Sequence, residues 1–453
     1  MELWLEQLHN LFAGKFSFQK EILEKYAKDA WLYARIPDGV FFPESKEDVI
    51  ALMQFAHSKG IYVTARGGGR GYVGGAVPAK GGVVISFEKM NRIKEIHLED
   101  AVAVVEPGVI TGILQEKVKE RGLFYPPDPA SVMECTIGGN VATNAGGPRC
   151  LKYGVTRNYV LGLEVVLADG SITKVGGRTI KNKTGFDLTG LFVGSEGLLG
   201  LVTEITLRLI AKPPFRAGLS AYFEQMEEAI SCINHVLSSG IMPSALEIAD
   251  RFTLKCAREF TKEQIPLYDA HILLEVDGSE AAVNADIGFF ENLLKNFSPK
   301  RLSKAFGEEE CEKLWQTRRL FSMSLKASGL TKLNEDVTVP RSRLIDLINL
   351  GKDLQKEFNL TVACFGHAGD GNIHVNLMVD WLQEEKRKQA EEALNILFDS
   401  VLSWNGAITG EHGIGIAKLP WWQKAVSQQS RLLHEKIKRS LDPKGILNPG
   451  KFV

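Results

Sequence analysis

The sequence predicts an α+β protein of two mixed domains followed by a short C-terminal segment. Three observations carry this. Helical patterns and short β-rich runs are interspersed along the whole chain. The first glycine-rich loop runs on into another strand, whereas a Rossmann loop opens straight into a helix. KPP (212–214) breaks the chain between two such patterns. The domains are placed at 1–212 and 213–404, with 405–453 as the closing segment.

The elements follow in order. Trp4, Leu5, Leu8, Leu11 and Phe12 fall at helical spacing and predict a docked amphipathic helix. SKEDVIALMQFAHSKG (45–60) reads as one helix, opened by a Ser45/Asp48 capping box and stopped by Gly60. The strand IYVTA (61–65) comes next, then RGGGRGYVGGAVP (66–78), the runs VVISF and AVAVVEPGV, and a helix near 111–121. In LGLEVVLADGSITKV, Asp169-Gly170 signals a hairpin turn. The second domain mixes helices with strands such as HILLEV (271–276) and TVACFGH (361–367). GEEEC (307–311) reads as a solvated loop or a helix start. The tail holds GEHGIG (410–415) and a helix around 425–440.

Composition excludes several classes. At 44% hydrophobic and 24% charged, the 453 residues suit a soluble globular protein with a large core. A net charge of −1 argues against a broad nucleic-acid face and against electrostatic docking to a membrane. No two of the six cysteines share a C-x-x-C spacing, which speaks against iron–sulfur and thiolate zinc sites and suits a reducing compartment. The first residues lack a signal-peptide pattern, and no apolar run is long enough to span a bilayer. The expected location is cytoplasmic.

Two glycine-rich stretches stand out in the first domain. Gly67 to Gly71, with Gly74 and Gly75, form either a pyrophosphate cradle of backbone N–H groups or a sharp turn between strands. YPPDPASVMECTIGGNVATNAGGPRCLKYG (125–154) is too long and too rich in Gly, Asn, Thr and Ser for one turn, and such long polar loops tend to bind ligands. Together they point to a long, polar, phosphate-bearing ligand.

RGGGRGYVGG, PPDPAS, TIGGNVATNAGG, LGLEVVLADG and GSEGLLGLVTEI resemble, in order and spacing, the FAD domain of the vanillyl-alcohol oxidase / p-cresol methylhydroxylase superfamily. The chain is most similar to the branch of D-lactate dehydrogenase, D-2-hydroxyglutarate dehydrogenase and the glycolate oxidase flavin subunit. The resemblance implies a p-cresol methylhydroxylase-type FAD-binding domain, an α+β substrate domain, and a C-terminal segment that returns to the first domain. By position it implies FAD contacts at Gly67, Gly68, Gly69, Arg70, Gly71, Ser131, Gly138, Gly139, Thr143, Asn144 and Val202. Arg70 stands where many relatives have Thr or Ser. No histidine lies in the first loop, so FAD is expected to bind without a covalent link.

FGHAGDGNIH (365–374) raises a separate question. Its glycines disfavour a helix and its flanks read as strands, so the simplest form is a hairpin with 368–371 at the tip. His367 then lies opposite Asn372, and His374 two residues along on the same face, with Asn376 beyond. Diagonal cross-strand Cα atoms are ~7–8 Å apart, close enough for two imidazoles to meet on one ion. The plainer alternative is a pair of satisfied histidines. Glu411 and His412, also set among glycines, favour the ion, since His, His and Glu with an open position make a usual catalytic divalent-metal set. Zinc is expected, with Mn²⁺ or Fe²⁺ as the alternatives.

The resemblance implies the same grouping: a metal on His367, His374 and Glu411, with His412 as the base. It also implies that Arg318, in LWQTRR (314–319), grips the substrate carboxylate, with Arg319 as the fallback, and that Ser322 and His412 touch substrate; Asn376, on the same hairpin face as the histidines, is expected to touch it too. The hydroxyglutarate branch has a lysine where Asn334 aligns, which tilts the expectation toward D-lactate or glycolate; Lys332 stands close by. The implied reaction is oxidation of a small D-2-hydroxy acid to the 2-oxo acid, with hydride passing to flavin. The chain shows no cluster or haem motif, so reoxidation calls for an electron-transfer flavoprotein, an iron–sulfur subunit, a quinone or a cytochrome. Rivals are a D-2-hydroxyglutarate dehydrogenase, a non-redox FAD-containing alkyl transferase, and a flavin subunit without its own active site.

Overall fold

The computed structural model describes residues 3–453. The chain forms two compact units. The first comprises the chain up to Gly146, Val155–Lys212 and Glu411–Val453; the second comprises Gly147–Gly154 and Pro213–Gly410. The C-terminal segment thus returns to the first unit.

The first unit contains two main sheets and a two-stranded one, in which Ile210–Ala211 pairs with Leu123–Phe124. One main sheet holds Phe16–Ser17, Gly39–Phe41, Val83–Ser86 and Val63–Arg66 in that order, and its last three strands run parallel. The other main sheet is antiparallel and holds Ile93–His97, Val102–Val105, Leu201–Arg208, Val160–Val166 and Ile172–Gly176. The helix Lys46–Lys59 has the capping box of Ser45 and Asp48, and Gly60 ends it at φ 68°, a left-handed conformation that glycine adopts without steric penalty. Its Val49, Leu52, Met53 and Ala56 pack with Phe41, Ile85 and Leu8 of the N-terminal helix Leu3–Leu11. The expected hairpin at Asp169-Gly170 joins Val160–Val166 to Ile172–Gly176, with Gly170 at φ 84°.

The second unit is organised by a seven-stranded antiparallel sheet. Its order is Arg301–Phe306, Phe215–Phe223, Ala270–Gly278, Ala245–Asp250, Thr361–His367, Asn372–Val379, Thr331–Thr338. Ala249, Ala363, Phe365 and Met378 on one face pack against Leu254 and Ala257 of the helix Arg251–Thr261 and against Phe321 and Leu325 of the helix Gly307–Lys326. GEEEC opens that second helix, so its acidic residues occupy the first turn, where the helix dipole favours them. This helix-covered face carries the side chains that matter below.

Candidate active site

The hairpin of FGHAGDGNIH has the anticipated register. Thr361–His367 pairs with Asn372–Val379, His367 opposite Asn372 and His374 opposite Phe365, leaving 368–371 as the tip. Gly371 at φ 84° makes the turn, and a Cβ there would strike the Val339 carbonyl. On the other side His374 faces Asp336 and Asn376 faces Asn334. Period-two alternation therefore puts His367, His374, Asn376, Asn334 and Lys332 on one face. The rings of His367 and His374 stand 5.6 Å apart, nearly perpendicular.

Glu247, which the sequence reading passed over, ties this face together. Its Oε1 lies 2.7 Å from His367 Nδ1, and its Oε2 accepts from Arg318 Nε at 2.5 Å. All three side chains are buried. Burial pushes the Glu247 carboxyl up, but the Arg318 and His367 charges outweigh it and hold the group below its ordinary value. The Arg318 guanidinium also lies 5.0 Å over the Phe365 ring. With its Nε on Glu247, its two terminal nitrogens are the donors suited to a carboxylate. Arg319, the fallback, is half-exposed and pairs with Glu312. One signal for Glu247 was legible: a lone acid at mid-strand in ALEIAD (245–250), among apolar residues.

The donors for an ion are brought together. His367, His374 and Glu411 each offer one atom, and these lie within 4.8 Å of one another. The bond from His367 Nδ1 to Glu247 leaves Nε2 as its ligand atom, and it fixes the ring as second-layer carboxylates do around bound metals. Glu411 follows Gly410, whose N–H donates to Asp336 Oδ2 at 2.9 Å, beside Thr409, whose hydroxyl also donates to that carboxylate. The residues present fit a divalent ion.

Three further groups line the same sheet face. The side-chain amides of Asn376 and Asn334 each present a buried oxygen without a protein hydrogen bond. Asn376 donates instead to the backbone oxygens of Ala363 and His374, both at 3.0 Å. Lys332 donates to Ser322 Oγ at 2.7 Å, and burial, with Lys326 adding to it, lowers its ammonium to about 7. His271, bonded to Ser220 at 2.8 Å, is lowered to about 4 by burial and the Arg318 charge, so it stays neutral.

In the first unit the two glycine-rich stretches touch. A Cβ on Gly67 would strike the Thr136 hydroxyl, one on Gly68 the Glu134 carbonyl, and one on Gly138 would press Pro107. Gly69 sits at φ 65°. The Thr136 hydroxyl accepts from Gly139 N at 3.2 Å and caps the short helix Ile137–Thr143, which Asn144 ends at φ 53°. Ser131 accepts the amides of Glu134 and Cys135 on its carbonyl. Arg70 pairs with Glu134 at 2.9 Å, both half-exposed. Val202 pairs with Val165 in the antiparallel sheet. Backbone crowded this closely admits only glycine, as a cradle for a pyrophosphate requires. His412 lies in this unit beside Tyr72 of the first glycine loop, ring centroids 5.2 Å apart, and its Nε2 is 3.7 Å from Glu411. Tyr72 too was missed by the sequence reading.

Comparison with known proteins agrees with this organisation. Residues 37–176 match an FAD binding domain and residues 212–452 match the family described as FAD linked oxidases, C-terminal domain. The chain is therefore an FAD-dependent oxidoreductase in class. It belongs to the FAD-linked oxidase family. It is 38% identical over 421 residues to the glycolate oxidase subunit GlcD of Bacillus subtilis, covering 93% of this chain and 90% of the relative. It is 36% identical over 413 residues to D-lactate dehydrogenase of Archaeoglobus fulgidus, covering 91% of this chain and 90% of that one. In fold it is similar to 4-ethylphenol oxidase from Gulosibacter chungangensis, with a TM-score of 0.80 at 20% identity, covering 99% of this chain and 96% of the other. Among the described residues no helix is long and apolar enough to cross a membrane.

Proposed function

We propose that the chain oxidises a small D-2-hydroxy acid, with D-lactate or glycolate favoured, to the 2-oxo acid. The observation that carries this is the bridge of Glu247 between Arg318 and His367, with the His367, His374 and Glu411 donors converging beside it. Arg318 holds the substrate carboxylate through its terminal nitrogens. The unmet oxygens of Asn376 and Asn334 accept from substrate O–H groups. His412 takes the proton of the 2-hydroxyl, and the Tyr72 ring, tilted against it, limits its rotation. FAD, held without a covalent bond by the two glycine loops, supplies the hydride acceptor, and a divalent ion, zinc for preference, supplies Lewis acidity toward the hydroxyl. Electrons then pass to a partner: an electron-transfer flavoprotein, an iron–sulfur subunit, a quinone or a cytochrome. The six cysteines form no disulfide, in keeping with a cytoplasmic enzyme.

One observation favours a second substrate. Lys332, bonded to Ser322 on the same sheet face, is a buried cation suited to a distal carboxylate, as in D-2-hydroxyglutarate. Anaerobic mixing tests both readings. D-lactate or glycolate bleaches the flavin under the first, and D-2-hydroxyglutarate does so by a wide margin under the second. A flavin that none of the three reduces returns the alkyl transferase or the inert subunit.

A further inference from the structure

Glu196 lies in GSEG (194–197), in the first unit, and has no role in the chemistry above. It is buried, and its backbone is left-handed at φ 50°, between Gly194 at φ 85° and Gly197 at φ 72°. The left-handed region is unfavourable for a side chain with a Cβ, so the surroundings must hold the glutamate there. They do so from three sides. Its amide donates to the Ala142 carbonyl in the helix Ile137–Thr143 at 2.8 Å. Its own carbonyl accepts from Asn448 Nδ2 at 2.7 Å, and the same nitrogen reaches the Gly75 carbonyl in the first glycine loop at 3.2 Å. Its carboxylate accepts the backbone amides of Ile414 and Gly415, one on each oxygen, both at 2.8 Å.

Those two amides follow His412 by two and three residues. The same segment is fixed again where Ile416 and Ala417 donate to the Val73 carbonyl at 2.7 and 3.0 Å. Gly413 lies against the first of these contacts: it sits at φ 86°, and a Cβ there would come within 2.7 Å of the Glu196 carboxylate. Burial raises the Glu196 carboxyl, while the two amides and the nearby Lys451 and Lys418 oppose that rise. A group kept as a hydrogen-bond acceptor in so confined a place does more than fill space.

We infer that Glu196 is a positioning residue: it clamps the backbone that carries His412 to the two loops that hold FAD. The contacts stand on geometry alone, but the catalytic consequence rests on the proposed role of His412. A glutamine cannot reproduce the clamp, because its NH₂ group would face one of the two amide donors.

The test is Glu196→Gln in the full-length, FAD-loaded protein, read in two ways. Amide hydrogen exchange of 411–417 should quicken by roughly tenfold or more, the loss of one charge-assisted hydrogen bond, with exchange elsewhere in the first unit unchanged. In anaerobic flavin reduction by D-lactate, the maximal rate should fall by about 10²-fold while the half-saturating concentration moves little, since Arg318 is untouched. Gly413→Ala, which presses the clamp from the opposite side, should reproduce both effects if the glutamine variant folds poorly. Exchange that quickens across the whole unit, or not at all, overturns the inference, as does a rise in half-saturation with the rate unchanged. If D-lactate, glycolate and D-2-hydroxyglutarate all fail to reduce wild-type flavin, the proposed function is lost, and the exchange result alone decides the clamp.

Discussion

The candidate sites of the two units are built by opposite means. In the first, the work falls to backbone: Gly67, Gly68 and Gly138 bring two loops so close that a single added carbon would collide with Thr136, Glu134 or Pro107. In the second, it falls to side chains on regular strands and one long helix, where Glu247, Arg318, His367 and His374 are all buried and anchored. A backbone cradle grips an extended ligand through many weak donors and tolerates little change in shape. A buried charged network orients a small ligand strongly, and losing one member leaves its partners uncompensated.

The largest expected effect breaks the second unit without touching the first. Arg318→Met leaves the buried Glu247 carboxylate without its guanidinium partner and costs about 3–5 kcal/mol at the site. Flavin reduction by D-lactate in stopped flow should become undetectable, while the flavin-to-protein absorbance ratio stays at the wild-type level. Gly67→Ala is the reverse experiment. Overpacking of about 1–3 kcal/mol should strip FAD from the purified protein, with its metal content unchanged by elemental analysis. A smaller effect is expected from Glu247→Gln, which releases His367 from its anchoring charge. Metal affinity should fall by about 10–100-fold in a chelator competition.

The smallest effect is a pH dependence. The Lys332 ammonium sits at about 7, below its ordinary 10.5. Between those values the unfolded chain carries the extra proton, so wild-type stability rises with pH; below 7 the full cost of burying the charge is present. Lys332→Met should lack this slope, being more stable than wild type at pH 6 with the gap closing toward pH 10.5 in denaturant titrations. If the substrate is a dicarboxylate, wild-type preference for it over D-lactate should fade as pH rises through about 7.

The contrast also explains what was legible in the sequence. Glycines show themselves in one dimension, so both loops, the capping box and the hairpin register of His367 and His374 could be read from spacing. The Glu411–His412 pair showed by its glycine setting, and Arg318 came with the motif resemblance. Glu247, Tyr72 and Glu196 did not, because each works only through contacts far along the chain: Glu247 reaches His367 across 120 positions, and Glu196 reaches Ile414 across 218. Lys332 lay within view, yet its bond to Ser322 and its burial are products of the folded sheet.

The central claim is that His367, His374 and Glu411 hold an ion that the reaction needs. The most direct measurement is anaerobic flavin reduction by D-lactate, glycolate and D-2-hydroxyglutarate, before and after exhaustive chelation, alongside elemental analysis of the same samples. The account predicts about one divalent ion per chain, loss of reduction as the ion is removed with FAD still bound, and recovery on adding back zinc or manganese. Full reduction in protein shown to be free of metal would contradict it.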